Sequence, residues 1–331
     1  MAEIKLALLG YDTDIGKALT EIMEQEGIEL ADYIPLSYTA DEYDAIGYLG
    51  KNYQIQRVEE FEPEKANVLM IAGNYSEAGK LVAQARKSGL VIVDAGEVNV
   101  KEGRIFVDGL ADADTDFVYD ADYIVPMSSE ATMLSLILKP ISERMTISSV
   151  SAVMMESVSG IGDSGTAELA RESISLFNMR DIAPRIFPSQ MAFNVHTAVG
   201  DINLDDTTTH ENNVIDELRP VLGETADVIN LTSVVVPVFY GHTLSMNISF
   251  LEDISLDEFK NLVAAAPGVE LVDDEELTPV KFGKKEDKLY ISRIRALKGQ
   301  VSSFTLVAVM DNFLRGVVLN CMGIIRKLSL K

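Results

Sequence analysis

The first 125 residues alternate between short apolar runs and amphipathic stretches of helical length. Strand-length apolar runs occur at Ile4–Leu9, Val68–Ala72 and Val91–Asp94, and helical patterns follow the first two at Ile15–Glu26 and Ala78–Ser88. Uniformly apolar strands separated by helices are typical of a parallel sheet that is covered on both faces. This part of the sequence therefore predicts a Rossmann-like α/β domain.

The apolar segments after residue 146 are longer and partly alternate with polar positions. Helices are predicted at Ser164–Phe177 and Thr209–Leu222, and a final helix at Asp311–Leu328. The predicted strands are Ile147–Met155, Val234–Phe239, Leu244–Phe250, Leu289–Ile294 and Phe304–Val309. Alternating strands with few helices indicate an α+β domain whose mixed sheet has one open face. A chain of 331 residues is also long enough for two domains.

Composition narrows the classes of partner. Hydrophobic residues make up 47% and charged residues 24%, which is typical of a folded globular protein. The net charge of -24 disfavours nucleic acid and anionic lipid. No apolar run has the ~18 residues of a membrane-spanning helix, and the chain begins with a strand-like segment rather than a leader. We therefore expect a cytoplasmic protein without nucleic-acid or membrane partners.

The sequence offers few ligands for a metal ion. It has three histidines and a single cysteine, Cys321, which lies in an apolar run that is typical of a buried helix. We therefore expect neither a disulfide nor a dedicated metal site.

Four motifs, in this order along the chain, resemble those of the aspartate-semialdehyde dehydrogenase family. The segment Asp122–Thr132 resembles the family's nucleophile loop, Asn-Pro-Asn-Cys-Ser-Thr, and places Ser128 at the thiol position. The other three are Glu156–Gly162, Met191–Val195 and Val235–His242. The resemblance extends over essentially the whole chain and identifies it as a member that lacks the catalytic cysteine.

The resemblance has implications for architecture and assembly. It implies a Rossmann-like NAD(P)-binding domain of residues 1–128 plus 311–331, and a mixed-sheet dimerisation domain of residues 129–310. It also implies a homodimer. An unknown protein partner is a further expectation, because the sequence does not disclose a physiological ligand.

The cofactor positions that the family implies are altered in this chain. They are Gly10, Thr13, Ile15, Gly16, Ala72, Gly73, Gly160 and Asn312. Asp12 and Asp14 stand where backbone amides should approach a pyrophosphate. The segment after the second strand is acidic, with Asp41, Glu42 and Asp44 where a 2′-phosphate needs a basic residue. No cofactor is therefore certain, and NAD or NADP is expected to bind only weakly.

The family's anion-binding residues are also replaced. Val235 stands where the family has the arginine that holds the substrate carboxylate, and a neutral side chain cannot form that bidentate pair. The helix that should carry a phosphate-binding lysine reads His210-Glu-Asn-Asn-Val214 near its start, with no lysine. The two anionic groups of the family's substrate thus lack evident cationic partners.

Three interpretations follow. In the first, the protein is catalytically degenerate and is retained as a dimeric binding or scaffold protein, with Ser128 as a helix cap. In the second, it is an oxidoreductase on an altered substrate, with His242 as general base. In the third, Ser128, His242 and Glu156 form the nucleophile, base and acid of a serine hydrolase.

Overall fold

The computed structural model describes residues 4–41, 44–98, 100–110 and 116–330; Glu42, in the acidic segment named above, lies outside them. The chain divides into two compact units: Met1–Met127 with Val317–Lys331, and Ser128–Gly316. Within the described ranges, no helix is long and apolar enough to span a membrane.

The first unit is built on a seven-stranded, entirely parallel sheet of order β5-β2-β1-β6-β7-β9-β8. Its elements are β1 Lys5–Leu9, α1 Asp14–Gln25, β2 Asp32–Ser37, β3 Ala45–Tyr48, β4 Lys51–Gln54, β5 Gln56–Arg57, β6 Val68–Ile71, α2 Ala78–Lys87, β7 Val91–Asp94, β8 Arg104–Phe106 and β9 Tyr123–Pro126. Strands β3 and β4 form a separate hairpin. The C-terminal helix, Leu319–Leu330, completes this unit.

The second unit is built on a six-stranded mixed sheet of order β11-β10-β12-β15-β14-β13. Its elements are α3 Ser129–Ser142, β10 Ile147–Ser157, α4 Asp163–Phe177, α5 Thr209–Leu222, β11 Ile229–Val236, β12 His242–Phe250, α6 Leu256–Ala264, β13 Val269–Leu271, α7 Pro279–Phe282, β14 Leu289–Ala296 and β15 Ser303–Met310. The β10–β11 and β13–β14 pairs are parallel and the others antiparallel. The predicted fold class, α/β followed by an α+β mixed sheet, is confirmed.

Two elements show the largest differences from the sequence prediction. Strand β11 spans Ile229–Val236 instead of the predicted Val234–Phe239, and it ends before Pro237, which has no N–H with which to continue the ladder. The final helix begins at Leu319 rather than at Asp311, after a π-helical turn at Leu314–Val318. Asp311 caps this turn, because its Oδ1 accepts the backbone N–H groups of Phe313 and Leu314. Its carbonyl oxygen accepts the N–H of Gly316 at 3.0 Å, an i→i+5 bond of the π-helical type.

Two glycine positions give a matched test of packing in the first unit. A Cβ on Gly16 in α1 would lie 2.0 Å from the carbonyl oxygen of Gly10, whereas a Cβ on Gly79 in α2 would meet open space. We expect Gly16→Ala to destabilise the protein by about 2–3 kcal/mol and Gly79→Ala to stabilise it by about 0.5 kcal/mol. Both changes restrict the unfolded chain equally. Equal midpoints for the two variants in urea unfolding would contradict the tight approach at Gly16.

Candidate functional site

Ser128 caps the N-terminus of α3. Its Oγ accepts a hydrogen bond from the N–H of Ala131 at 3.4 Å, and its own N–H donates to Oε2 of Glu217 at 2.7 Å. The β-region backbone of Ser128 and its side-chain bond are those of a helix N-cap. The structure thus gives Ser128 the capping role of the first interpretation.

His242, the first residue of β12, is bonded through both ring nitrogens. Nε2 lies 2.9 Å from Oε1 of Glu130, in the first turn of α3, and Nδ1 accepts the N–H of Ser157 at 3.1 Å. Both the His242 and Glu130 side chains are buried. The pair joins the start of α3 to the central strand of the mixed sheet.

The backbone bond fixes the tautomer of His242. An N–H can only donate, so Nδ1 must be unprotonated and the ring proton of the neutral imidazole lies on Nε2. Nε2–H then donates to Glu130. Burial would raise the pKa of Glu130, but the hydrogen bond from His242 and the electrostatic interactions with His242 and His210 outweigh it and lower that pKa. The carboxylate is therefore ionised and accepts the ring proton's hydrogen bond.

Asn312 holds the loops on the other side of His242. Its Oδ1 accepts hydrogen bonds from the N–H of Gly241 at 3.1 Å and from the hydroxyls of Ser159 and Ser157 at 3.0 and 3.3 Å. Gly160 follows in the same turn, where a Cβ would lie 3.4 Å from Cε1 of His242. Gly160 thus lies against the Cε1 edge of the imidazole.

Glu156 pairs with His210 rather than with His242. Oε1 of Glu156 lies 2.8 Å from Nε2 of His210, which is in the first turn of α5. Burial lowers the pKa of His210, but the hydrogen bond to Glu156 and the charges of Glu156, Glu130 and Glu217 outweigh this and raise the pKa to about 9. His210 is therefore a cation at neutral pH, in a site that also holds three carboxyl groups.

Glu130, Glu156 and His242 have the spacing of a metal site, but not its chemistry. One ligand atom from each lies within 4.8 Å of the other two, and ligands about 2.1 Å from a shared ion would be separated by similar distances. A metal-bound histidine donates its other ring N–H to an acceptor. In His242 that nitrogen accepts a backbone N–H instead, so metal binding at Nε2 would require an anionic ring. The cluster is a hydrogen-bonded pair beside an ion pair, and it does not fit a metal ion.

The glycine turn of the first unit is closed by its own side chains. The hydroxyl of Thr13 lies 2.7 Å from the carbonyl oxygen of Gly10 and 2.5 Å from that of Ala72, and it accepts the N–H of Gly16 at 3.0 Å. Thr13 is thereby the N-cap of α1. The backbone N–H of Gly16, which could otherwise donate to a phosphate, donates to the Thr13 hydroxyl instead. The turn keeps its Rossmann shape while one of its anion-binding groups is taken.

Tyr75 packs against the same turn. A Cβ on Gly10 would lie 3.1 Å from its hydroxyl, and one on Gly73 would lie 3.3 Å from its ring. Burial, together with the charge of Asp12, raises the pKa of Tyr75 to about 12. The groups nearest the turn are thus a neutral phenol and a carboxylate, neither of which attracts a phosphate.

A basic residue, Arg57, lies at the end of β2. The sequence did not predict a cation at this place. Arg57 pairs with Ser37 through β5, and its Nε donates to the carbonyl oxygen of Ala40 at 3.1 Å. Arg57 lies twenty residues beyond Ser37 in the chain, so only the β5–β2 register brings them together. The acidic segment after β2 therefore has a cation beside it.

The structure groups the candidate residues by unit. The second unit contains Ser128, Glu156, Gly160, His242 and Asn312; the first contains Gly10, Thr13, Ile15, Gly16, Ala72 and Gly73. His242, Gly160 and Asn312 share one network, whereas no hydrogen bond within the described residues joins Ser128 or Glu156 to His242. Sequence reasoning missed Glu130, although an acid two residues after the nucleophile position could have suggested it.

The chain thus combines a parallel sheet that has a glycine turn after its first strand with a mixed sheet whose central strand begins with a buried histidine. The model of the semialdehyde dehydrogenase dimerisation domain matches residues 138–315, more than half of the chain. The chain therefore belongs to the semialdehyde dehydrogenase family.

Individual relatives agree with this assignment. The chain is 26% identical to an aspartate-semialdehyde dehydrogenase of Shewanella sp. (strain DB6705), covering 97% of this chain and 96% of the relative. It is 25% identical to a USG-1 protein homolog of Azotobacter vinelandii, covering 96% and 95%. The fold resembles that of aspartate semialdehyde dehydrogenase II of Vibrio cholerae, with a TM-score of 0.90, 22% identity and coverage of 100% and 99%.

The Glu156–His210 ion pair predicts a pH dependence of stability. The folded-state pKa of His210 is about 9, above its ordinary value of 6.5, so its contribution is fully present below pH 6.5 and is lost as pH rises through 9. We expect the melting temperature to fall by about 2–6 °C between pH 6.5 and 9.5. In the His210→Gln variant, this part of the fall in melting temperature between pH 6.5 and 9.5 should be missing. Calorimetric scans with the same pH slope for both proteins would contradict the ion pair.

Proposed function

We propose that this chain is a dimeric semialdehyde dehydrogenase-family protein that does not carry out thioester-forming dehydrogenase chemistry and acts instead through binding. The observation that carries the proposal is the state of His242. A general base needs a free lone pair that faces the proton it removes. Nδ1 of His242 accepts a hydrogen bond from a backbone N–H, and the N–H at Nε2 donates a hydrogen bond to Glu130. Neither nitrogen has a free lone pair.

The nucleophile is missing as well. The chain's single cysteine, Cys321, is buried in the C-terminal helix, and burial raises its thiol pKa to about 12. A thiol with that pKa supplies almost no thiolate at neutral pH. Ser128 offers a hydroxyl, which needs an adjacent base. Its Oγ accepts the backbone N–H of Ala131, and the carboxylate of Glu217 accepts the backbone N–H of Ser128 rather than the hydroxyl.

The geometry gives little support to a serine hydrolase. In that mechanism the acid orients the histidine through one ring nitrogen while the other faces the serine. Here Glu156 is bonded to His210, and the carboxylate that contacts His242 belongs to Glu130. Ser128 accepts the N–H of Ala131 as a helix cap.

The charges of the site also disfavour a dianionic substrate. Val235 lies in an apolar cluster with Val158, Leu169, Phe187, Met191 and Ala192 rather than beside a substrate carboxylate. Three carboxyl groups surround the cation His210, so an anionic ligand meets like charge. A relative is named for its action on aspartate semialdehyde, and this site lacks the cationic partners that such a substrate needs.

An oxidoreductase acting on an altered substrate is the second candidate. Gly160 lies beside the Cε1 edge of His242 without a side chain, and Arg57 gives the end of β2 a positive charge. Against it stand Thr13 and Tyr75, which fill the glycine turn. Weak binding of both NAD and NADP is the expectation, with the two distinguished by less than about tenfold because Arg57 offsets the acidic segment.

The assembly follows from an exposed apolar surface in the second unit. Ile174 and Phe177, one turn apart at the end of α4, are 61% and 77% exposed, and Phe193 is 67% exposed with its ring 5.8 Å from that of Phe177. We call these three residues the apolar patch. Contiguous exposed aromatic and aliphatic surface marks a protein interface, and the matched dimerisation-domain model makes a second copy the natural occupant.

The loss of chemistry is tested by returning the thiol. Ser128→Cys should show no NADP-dependent oxidation of aspartate semialdehyde above background. Two missing charge-assisted contacts of roughly 1.5–3 kcal/mol each correspond to about 10²–10⁴ in kcat/KM even with a competent base. Alkylation of the new thiol with iodoacetamide checks that it is accessible. Turnover within tenfold of a family dehydrogenase assayed in parallel would overturn the proposal.

The dimer is tested by charging the apolar patch. We expect light scattering to give a dimer for the wild-type protein and a monomer of about 36 kDa for Phe177→Asp at micromolar concentration, because burying an unpaired carboxylate is costly. Leu251→Asp is the matched control, since Leu251 is 72% exposed on a loop after β12 outside the patch. A wild-type monomer, or equal dissociation of both variants, would remove the patch from the interface.

A further inference from the structure

An open cavity of about 310 Å³ lies in the second unit, beside β14. His242 is not among the residues that line it. Its lining combines an apolar floor with charged groups of both signs. The lining residues are Val272, Asp273, Glu275, Glu276, Leu277, Ser292, Arg293 and Val307. This volume is at the lower end of the range for small-molecule sites and is too small for a dinucleotide.

A β-bulge places Arg293 in the cavity. Ser292 pairs with Val307 and Arg295 with Thr305, so two residues of β14 oppose one residue of β15. Arg293 has a φ of 57°, and Nη1 of Arg295 donates to its carbonyl oxygen at 2.9 Å, which secures the bulge. Successive residues of a regular strand face opposite sides. Because of the bulge, Ser292 and Arg293 both line the same cavity.

The charges of the cavity are not neutralised by one another. Glu275 forms an ion pair with Lys281. Within the described parts of the chain, by contrast, no ion pair or hydrogen bond involves the side chain of Arg293, Asp273 or Glu276, although all three line the cavity. The guanidinium and the two carboxylates are therefore within one cavity but too far apart to pair.

We propose that this cavity binds a small zwitterionic α-amino acid with an aliphatic side chain. The carboxylate of the ligand pairs with Arg293, whose planar guanidinium suits bidentate recognition. The ammonium group lies between Asp273 and Glu276. The side chain packs on Val272, Leu277 and Val307, of which Val272 is buried. A ligand with both charges satisfies groups that neither an amine nor an acid alone can satisfy.

The test compares three ligands of the same shape on the full-length protein by isothermal titration. L-Leucine should bind saturably, whereas 3-methylbutylamine and 4-methylpentanoate, which each lack one charged group, should bind at least about tenfold more weakly. If the amine binds as tightly as leucine, Arg293 does not recognise the ligand carboxylate, and the proposal is wrong. No saturation by leucine at millimolar concentrations would also overturn the proposal.

Variants at Arg293 separate ligand recognition from folding. Arg293→Asn removes the charge with a residue that tolerates a positive φ, and it should abolish the preference for leucine over the amine. Arg293→Lys, which keeps the charge, should retain part of that preference, and both variants should have melting temperatures close to wild type. An unchanged preference in Arg293→Asn would contradict the assignment.

Discussion

The hydrogen bond between Glu130 and His242 determines the state of the whole candidate site. Both side chains are buried, and a buried ionised carboxylate is tolerated only when it is paired. The carboxylate gains further stabilisation from its place in the first turn of α3, where the helix dipole favours negative charge. Because the N–H of Ser157 holds the opposite ring nitrogen, His242 can donate in only one direction. Both ring nitrogens of His242, the residue considered as a general base, are therefore engaged in hydrogen bonds within the protein.

Under the proposed function, the same constraint is the reason why Ser128→Cys alone is not expected to return the family's chemistry. A thiol at Ser128 would meet a histidine that is already engaged, and Glu130 would remain as an anion beside any developing thiolate. Val235 lies in an apolar cluster, so an arginine there would bury a charge. In the candidate site of the second unit, His210 is the cation that pairs with Glu156.

Local features of the structure were readable from the sequence. The pattern from Ile15 to Glu26 predicted α1 within one residue at each end, and Thr209–Leu222 was predicted with its observed bounds, because amphipathic periodicity and caps act over short distances. Features that depend on pairing between distant segments were not readable. Glu130 and His242 are 112 residues apart, and the bulge at Arg293 exists only in the register of β14 with β15. No periodicity in either strand marks those contacts.

The tautomer of His242 is the property on which the account rests, and it can be measured directly. The protein has only three histidines, so long-range ¹H–¹⁵N spectra can be assigned with His196→Gln and His210→Gln variants. The account predicts that His242 is the neutral Nε2–H tautomer, with Nδ1 showing the shift of a hydrogen-bonded, unprotonated nitrogen. A proton on Nδ1 with an unprotonated Nε2 would mean that His242 still presents a lone pair as a base, and it would contradict the central claim.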